Sequence, residues 1–148
     1  MNEPYVVQPR EGISIGAYDA DLKFKATAAQ TNGAFSLVEG VWQPGGFGPL
    51  PHIHVEQEEA FYVLDGQFDF HVGERSLLAG PGTFIVVPRG VLHWFGAAGD
   101  SPGRLLFMHT PPLEGFFFEL QKLSSTGPVD PVKVRALMSQ WGMEAPEL

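Results

Sequence analysis

A chain of 148 residues with 44% hydrophobic content and twelve phenylalanines is long enough to bury a core, too short for two comfortable domains, and too apolar to be disordered. Having no cysteine, it excludes a disulfide framework and any thiolate metal site, so a metal would have to be held by nitrogen and oxygen. A formal net charge of -8 with only nine Lys+Arg repels phosphate backbones and argues against nucleic acid as a partner. The start, MNEPYVVQPREG, has no basic region followed by an apolar run, and nowhere does the chain reach the roughly 18 apolar residues of a membrane span. The expectation is a soluble, cytoplasmic protein of one domain, residues 1–148, with no membrane partner.

Eighteen glycines and thirteen prolines, spread along the chain, punctuate it into short segments. From Ile13 to Met108 the strand candidates are DLKFKATAAQT, AFSLVEGVW, EAFYVLDG, QFDFHVG, TFIVVP, VLHWFGA and RLLFMH. Turns such as Asp65-Gly66, Val72-Gly73-Glu74 and Gly80-Pro81-Gly82 separate them. The pattern predicts an all-β antiparallel barrel or sandwich over about residues 13–110, with no helical period inside it.

After Pro112 the period changes. Leu113, Phe116, Phe117, Leu120 and Leu123 fall at helical spacing, so LEGFFFELQKL is predicted to be an amphipathic helix whose phenylalanines form a packed face. The loop SSTGP follows. Asp130 can then cap a second helix, Pro131 suits its first position, Val134, Leu137, Met138 and Trp141 form one face, and Gly142 can end it. This tail, about residues 113–142, is expected to cover the outside of the β-structure.

The stretch HIHVEQEEAFYVLDG carries the chemistry. On a strand His52 and His54 point to one side and present two imidazoles together. Glu59 lies at an odd separation from His54, so the chain must bend within Val55–Glu58 if the carboxylate is to join them. Beyond the bend Glu59, Phe61 and Val63 share one face, and an ionised Glu beside Phe and Val needs a compensating charge. His93, after the Pro88-Arg89-Gly90 turn, supplies a third imidazole, with Phe95 on its side of the strand. Three imidazoles and one carboxylate suit a divalent first-row metal such as iron, nickel, manganese, copper or zinc rather than magnesium or calcium.

These residues resemble the cupins. The first cupin motif is matched from Gly46 through His52, His54 and Glu59 to Gly66, and the second by Gly82, Pro88, Gly90 and His93. The resemblance implies a cupin-like antiparallel barrel, a double-stranded β-helix or jelly roll, with His52, His54, Glu59 and His93 as metal ligands. Two positions depart from the pattern: Ala97 stands where the second motif often ends in Asn, removing a hydrogen bond, and Thr83 where Asp is frequent. The small barrel followed by a Phe-rich helix and a second helix ending in Trp-Gly-Met-Glu looks like the quercetin 2,3-dioxygenase-like group. That likeness implies ring-opening oxygenation of a flavonol or similar phenolic, while the resemblance to cupins as a whole implies a homodimer in which YVVQPREGISI could be an exchanged strand.

Other polar residues read more plainly. His71 alternates with Gln67 and Asp69 on a solvated face. Glu56 and Glu58 read as rim residues, and strand parity does not decide whether His109 points inward. QPGGFGPLP lacks the Gly-Lys-Ser/Thr ending of a phosphate loop, and glycines that let the chain enter a barrel closely explain it better. Four ligands leave coordination positions open, which indicates chemistry or ligand capture. Phe61, Val63 and Phe95 would line an apolar pocket for a small-molecule substrate, with Glu59 as both ligand and catalytic proton acceptor. A metal-dependent dioxygenase acting on a phenolic is the first expectation. The alternatives are oxygen-independent isomerase, cyclase or hydrolase chemistry, and a small-molecule-binding barrel without turnover.

Overall fold

Side chains that alternate across extended backbone give each strand one buried and one outer face, and that alternation builds most of the structure. The structure is a computed structural model that describes residues 3–125 and 127–146. In chain order the elements are β1 (Ile13–Ala17), β2 (Ala20–Ala26), α1 (Ala28–Thr31), β3 (Ser36–Trp42), β4 (Ile53–His54), β5 (Glu58–Asp65) and β6 (Gln67–Val72). They continue with β7 (Arg75–Ala79), β8 (Phe84–Val87), β9 (His93–Ala98), β10 (Gly103–Thr110), α2 (Glu114–Ser124), α3 (Pro131–Gln140) and β11 (Met143–Glu144). A six-stranded sheet in the order β1-β2-β3-β10-β5-β8 faces a three-stranded sheet, β7-β6-β9, and β11 pairs with β4 in a third, two-stranded one. Every pairing is antiparallel. This is the predicted all-β jelly roll with two C-terminal helices.

The core lies between the sheets. Leu22, Phe24, Val38, Trp42, Phe61, Val63, Leu105 and Phe107 from the larger sheet meet Phe68, Phe70, Phe95 and Ala97 from the smaller one, all buried. Trp42 packs edge-on against Phe68 and Phe95 at ring-centroid distances of 5.6 and 5.4 Å, a geometry that suits aromatic quadrupoles. QPGGFGPLP enters close to this core: a Cβ on Gly48 would lie 2.3 Å from the Phe95 carbonyl oxygen, so only glycine lets the segment approach β9.

Several elements differ from expectation. DLKFKATAAQT does not run on as one strand; β2 stops at Ala26 and the one-turn α1 follows. Thr27 ends the strand, because its side chain and backbone N–H engage Gln30 in a capping box. The short β7 and β11 carry too little periodicity to stand out in the sequence, and both are held by pairing, β7 to β6 and β11 to β4. The ISI end of YVVQPREGISI forms β1 and pairs with β2 of the same chain. In the SSTGP loop, Thr126 lies outside the described residues.

The tail helices form as predicted, with Asp130 accepting from the Val132 N–H at 2.9 Å and Pro131 opening α3. The position of α2 differs. Phe117 packs on Phe24 at 5.6 Å, Phe107 at 6.1 Å and His109 at 5.9 Å, and Phe118 on Phe24 at 5.2 Å. Those partners are on the inward face of the larger sheet, so α2 closes the mouth of the barrel instead of covering its outside. The physical reason is area: three strands cannot cover the inner face of six. Phe24→Ala is expected to cost about 3–5 kcal/mol, read as a lowered urea midpoint, because it opens a cavity where β2 meets α2. Among the described residues no helix is long and apolar enough to cross a membrane.

Candidate metal centre

His52 and His93 exchange backbone hydrogen bonds, each N–H donating to the other's carbonyl at 3.1 and 3.0 Å. That bridge places the first histidine of the first motif against the end of the second. After His54 the chain leaves strand geometry at Val55–Gln57 and re-enters it at Glu58, the bend that the odd His54 to Glu59 separation requires. Two bonds pin it: Gly90 N–H donates to the His54 carbonyl and Val55 N–H to the Gly142 carbonyl, both at 2.9 Å. Along β5, Glu59, Phe61 and Val63 are buried while Tyr62 is exposed, as the parity predicted. His52, His54, Glu59 and His93 thus arrive in one buried cluster, with one ligand atom of each within 4.8 Å of the others. Metal–ligand bonds of about 2.1 Å separate neighbouring ligand atoms by roughly 3 Å and opposite ones by roughly 4.2 Å, so the cluster has the dimensions of a coordination sphere.

The proton arrangement makes the case sharper. Nδ1 of His52 lies 2.7 Å from the Leu50 carbonyl and Nδ1 of His93 2.9 Å from the Val91 carbonyl. A carbonyl only accepts, so both Nδ1 atoms carry a proton, and in its neutral form each ring turns a bare Nε2 lone pair inward. There His52 Nε2 is 3.1 Å from His54 Nε2, and His93 Nε2 is 2.9 Å from Glu59 Oε1. Acceptors this close repel unless a proton or a cation stands between them. A divalent cation satisfies all of them together, and the donor set of imidazoles and one carboxylate fits a first-row transition metal.

The titration tendencies follow from the same crowding. Burial, then the neighbouring His93 and His54, push His52 down from 6.5 to about 3. Burial also holds His54 below its ordinary value, against the pull of Glu59. Burial opposes a charge on His93, yet its hydrogen bond to Glu59 and the carboxylate's attraction lift it above the ordinary value. Burial would raise Glu59, but His109 and the hydrogen bonds from His109, His54 and His93 outweigh it and hold the carboxyl well below its usual range.

His109 is the site residue that sequence parity left undecided. Gly103, Leu105, Phe107 and His109 are the buried positions of β10, and His109 lies opposite Glu59 in the β10–β5 register. Its Nε2 sits 2.9 Å from Glu59 Oε2, the oxygen turned away from His54 and His93. Apart from Arg104, both alternating sets of RLLFMH are apolar ahead of the histidine, which left the signal weak. Of the three expected pocket residues, only Phe95 lines the cavity over the cluster; Phe61 and Val63 do not, being packed deeper in the core. Their side chains follow Glu59 inward but lie further along β5, beneath the layer formed by Trp42, Phe95, Phe107 and Phe117, which do line it. His71 is outside, stacked on Trp94 at 4.4 Å. Glu58 pairs with Arg89 at the surface.

This fold and this site are similar to those of the cupins. The family model described as the cupin domain matches residues 38–109, which run from β3 to His109 and contain all four clustered residues. Germin-like protein subfamily 2 member 2 of Arabidopsis thaliana is 33% identical over 85 residues, a match that spans 54% of this chain and 38% of that protein. Among solved structures, KdgF from Halomonas sp. superposes with a TM-score of 0.67 at 18% identity, covering 76% of this chain and 98% of that one. Pac13 of Streptomyces, a nucleoside dehydratase, superposes with a TM-score of 0.59 at 18% identity, covering 75% and 85%. At such identities the two structures share the fold alone. The comparisons reach the cupin level and do not single out the quercetin 2,3-dioxygenase-like group.

Proposed function

We propose that the chain is a metal-dependent enzyme acting as a dioxygenase on a small aromatic or phenolic molecule. The observation that carries this reading is a three-His, one-Glu cluster opening onto a cavity walled by Trp42, Phe95, Phe107 and Phe117. A bound divalent transition metal, whether iron, nickel, manganese, copper or zinc, would supply Lewis acidity toward a substrate oxygen and, if redox-active, a route for electrons to dioxygen. The aromatic walls leave room beside the cluster only for the oxygen-bearing edge of a substrate and exclude bulk water. Glu59 has two distinct oxygens: Oε1 faces His54 and His93, and Oε2 faces His109. Oε2 could take the proton of a phenolic hydroxyl and pass it to His109 only in the form of that ring whose Nε2 is bare, with the ring's proton on Nδ1.

The Glu59–His109 pair favours a second reading, oxygen-independent isomerisation, cyclisation or hydrolysis, because it moves protons without needing an oxidant. One experiment separates the two. Metal-reconstituted protein is offered quercetin and simpler phenols in air and under anaerobic conditions, with oxygen uptake followed by electrode and products by mass spectrometry after labelling with heavy dioxygen. Dioxygenation predicts substrate loss only in air, with both labelled atoms in the product. Turnover at the same rate without oxygen would replace it with the acid–base reading.

A further inference from the structure

Tyr18 has no role in the site described so far, and three observations about it need a common cause. It occupies the turn between β1 and β2 with φ of +57°, a left-handed conformation that costs a non-glycine residue and marks positions held in place by their surroundings. The next residue does the holding: Asp19 N–H donates to the Phe47 carbonyl at 3.2 Å, and Phe47 N–H donates to Asp19 Oδ2 at 2.8 Å. Tyr18 itself is half-buried, and its hydroxyl makes no hydrogen bond to another described residue, which leaves its donor free for a ligand. Burial first, and the Glu59 carboxylate second, push the phenol above its ordinary value, so it stays protonated and remains a donor.

The third observation is position. Tyr18 lines the cavity over the His and Glu cluster, and it also lines an outer groove. Among the described residues no other is shared by the two linings. The inner cavity measures about 20 Å³, room for little more than one water. The groove measures about 530 Å³, and no charged side chain lines it among the described residues; Ala17, Leu50, Leu120, Val129, Pro131 and Val134 are among its walls. The two spaces follow the same elements. Pro49 faces the inner one between Gly48 and Leu50 of the outer one, and Phe117 of α2 faces the inner one with Leu120 at the outer.

We propose that Tyr18 is a substrate-contacting residue: its hydroxyl donates to the oxygen end of a two-part substrate that reaches the metal cluster, while the substrate's apolar body lies in the groove outside. The inference rests on the metal-dependent reading of the site and deepens it by naming the substrate's form. A wholly polar substrate would gain nothing from the uncharged groove. A rigid multi-ring molecule would not fit within the inner cavity, but its chelating edge alone could enter past Tyr18.

The test uses cobalt(II)-loaded full-length protein and straight-chain hydroxamates from acetohydroxamate to octanohydroxamate, titrated against the visible cobalt spectrum. With wild type, affinity is expected to rise about fourfold for each methylene that enters the groove. Tyr18→Phe is expected to weaken every member by a common factor of about ten and to keep the slope, the cobalt content and the melting temperature, because phenylalanine inherits the same backbone and packing. Leu50→Asp is expected to flatten the series. Equal affinities in wild type and Tyr18→Phe would overturn the role of Tyr18, and a flat wild-type series would overturn the groove, both with the metal reading intact. Wild type that takes up no cobalt, or holds cobalt but shows no spectral response to any hydroxamate, would remove the reading of the site and this inference together.

Discussion

The His52→Ala/His54→Ala variant is expected to lose its metal entirely, from near one ion per chain in wild type to background, measured by elemental mass spectrometry on untagged protein. Both imidazoles belong to the one buried cluster in which ligand atoms of His52, His54, Glu59 and His93 lie within 4.8 Å of each other. Disturbing a residue that merely supports a ligand weakens a metal site about 10–100-fold; removing two ligands leaves one imidazole and one carboxylate and weakens it by at least about 10³-fold on that scale. The fold should survive, since the deleted rings leave a polar cavity that water can occupy and the backbone pairing of His52 with His93 involves no side chain. His71→Ala serves as the control: stacked on Trp94 and bonded to Ser76 on the outer face, it should leave metal content unchanged. Metal retained by the double variant would place the ion elsewhere. No metal in either protein, even after reconstitution, would leave a metal-free binding barrel as the better account.

The site was legible in the sequence wherever short-range geometry decides the outcome. His52 and His54 are two residues apart, so strand parity alone brings their rings together, and the odd step to Glu59 demanded a bend that the structure puts at Val55–Gln57. His93 was reachable because its spacing from Gly82, Pro88 and Gly90 repeats a family pattern. What stayed hidden depends on register between distant strands. His109 joins Glu59 only because β10 pairs with β5 so that the two stand opposite, and nothing within RLLFMHT states that register. The same limit explains Phe61 and Val63, whose parity was right and whose depth along β5 was not visible. Tyr18 was further out of reach still, since its place depends on a hairpin turn docking on Phe47. The helices show the contrast well: the 3.6-residue period and the Asp130-Pro131 start placed α2 and α3 closely, while the surface that α2 covers followed from the unequal widths of the two sheets.

Metal-stripped protein is expected to lose stability steadily as the pH falls from 6.5 toward 4.5, and the loss should come from the cluster itself. His52 carries the clearest share. Its folded-state value is about 3 against an ordinary 6.5, so between those limits the unfolded chain binds a proton that the folded chain refuses. Stability then falls with falling pH, by up to about 1.4 kcal/mol per unit for such a group. His54, also lowered, acts in the same direction below 6.5. Glu59 adds to the trend lower down: its depressed value gives stability that is present above the unfolded 4.5 and is lost as the pH falls through the folded value. His93 opposes them, because its raised value gives stability that is complete below 6.5 and is lost as the pH rises through its folded value. Two lowered histidines against one raised one leave a net loss on acidification. Metal should enlarge the contrast, since it binds the deprotonated ligands and is displaced by protons. Urea midpoints at pH 7.5, 6.0 and 5.0 are therefore expected to drop for stripped protein, and the added stability of the metal-loaded form should shrink toward zero by pH 5.0. Midpoints that do not change with pH in stripped protein would mean that these histidines are not held neutral by burial, and the arrangement of bare Nε2 atoms around a cation would have to be abandoned.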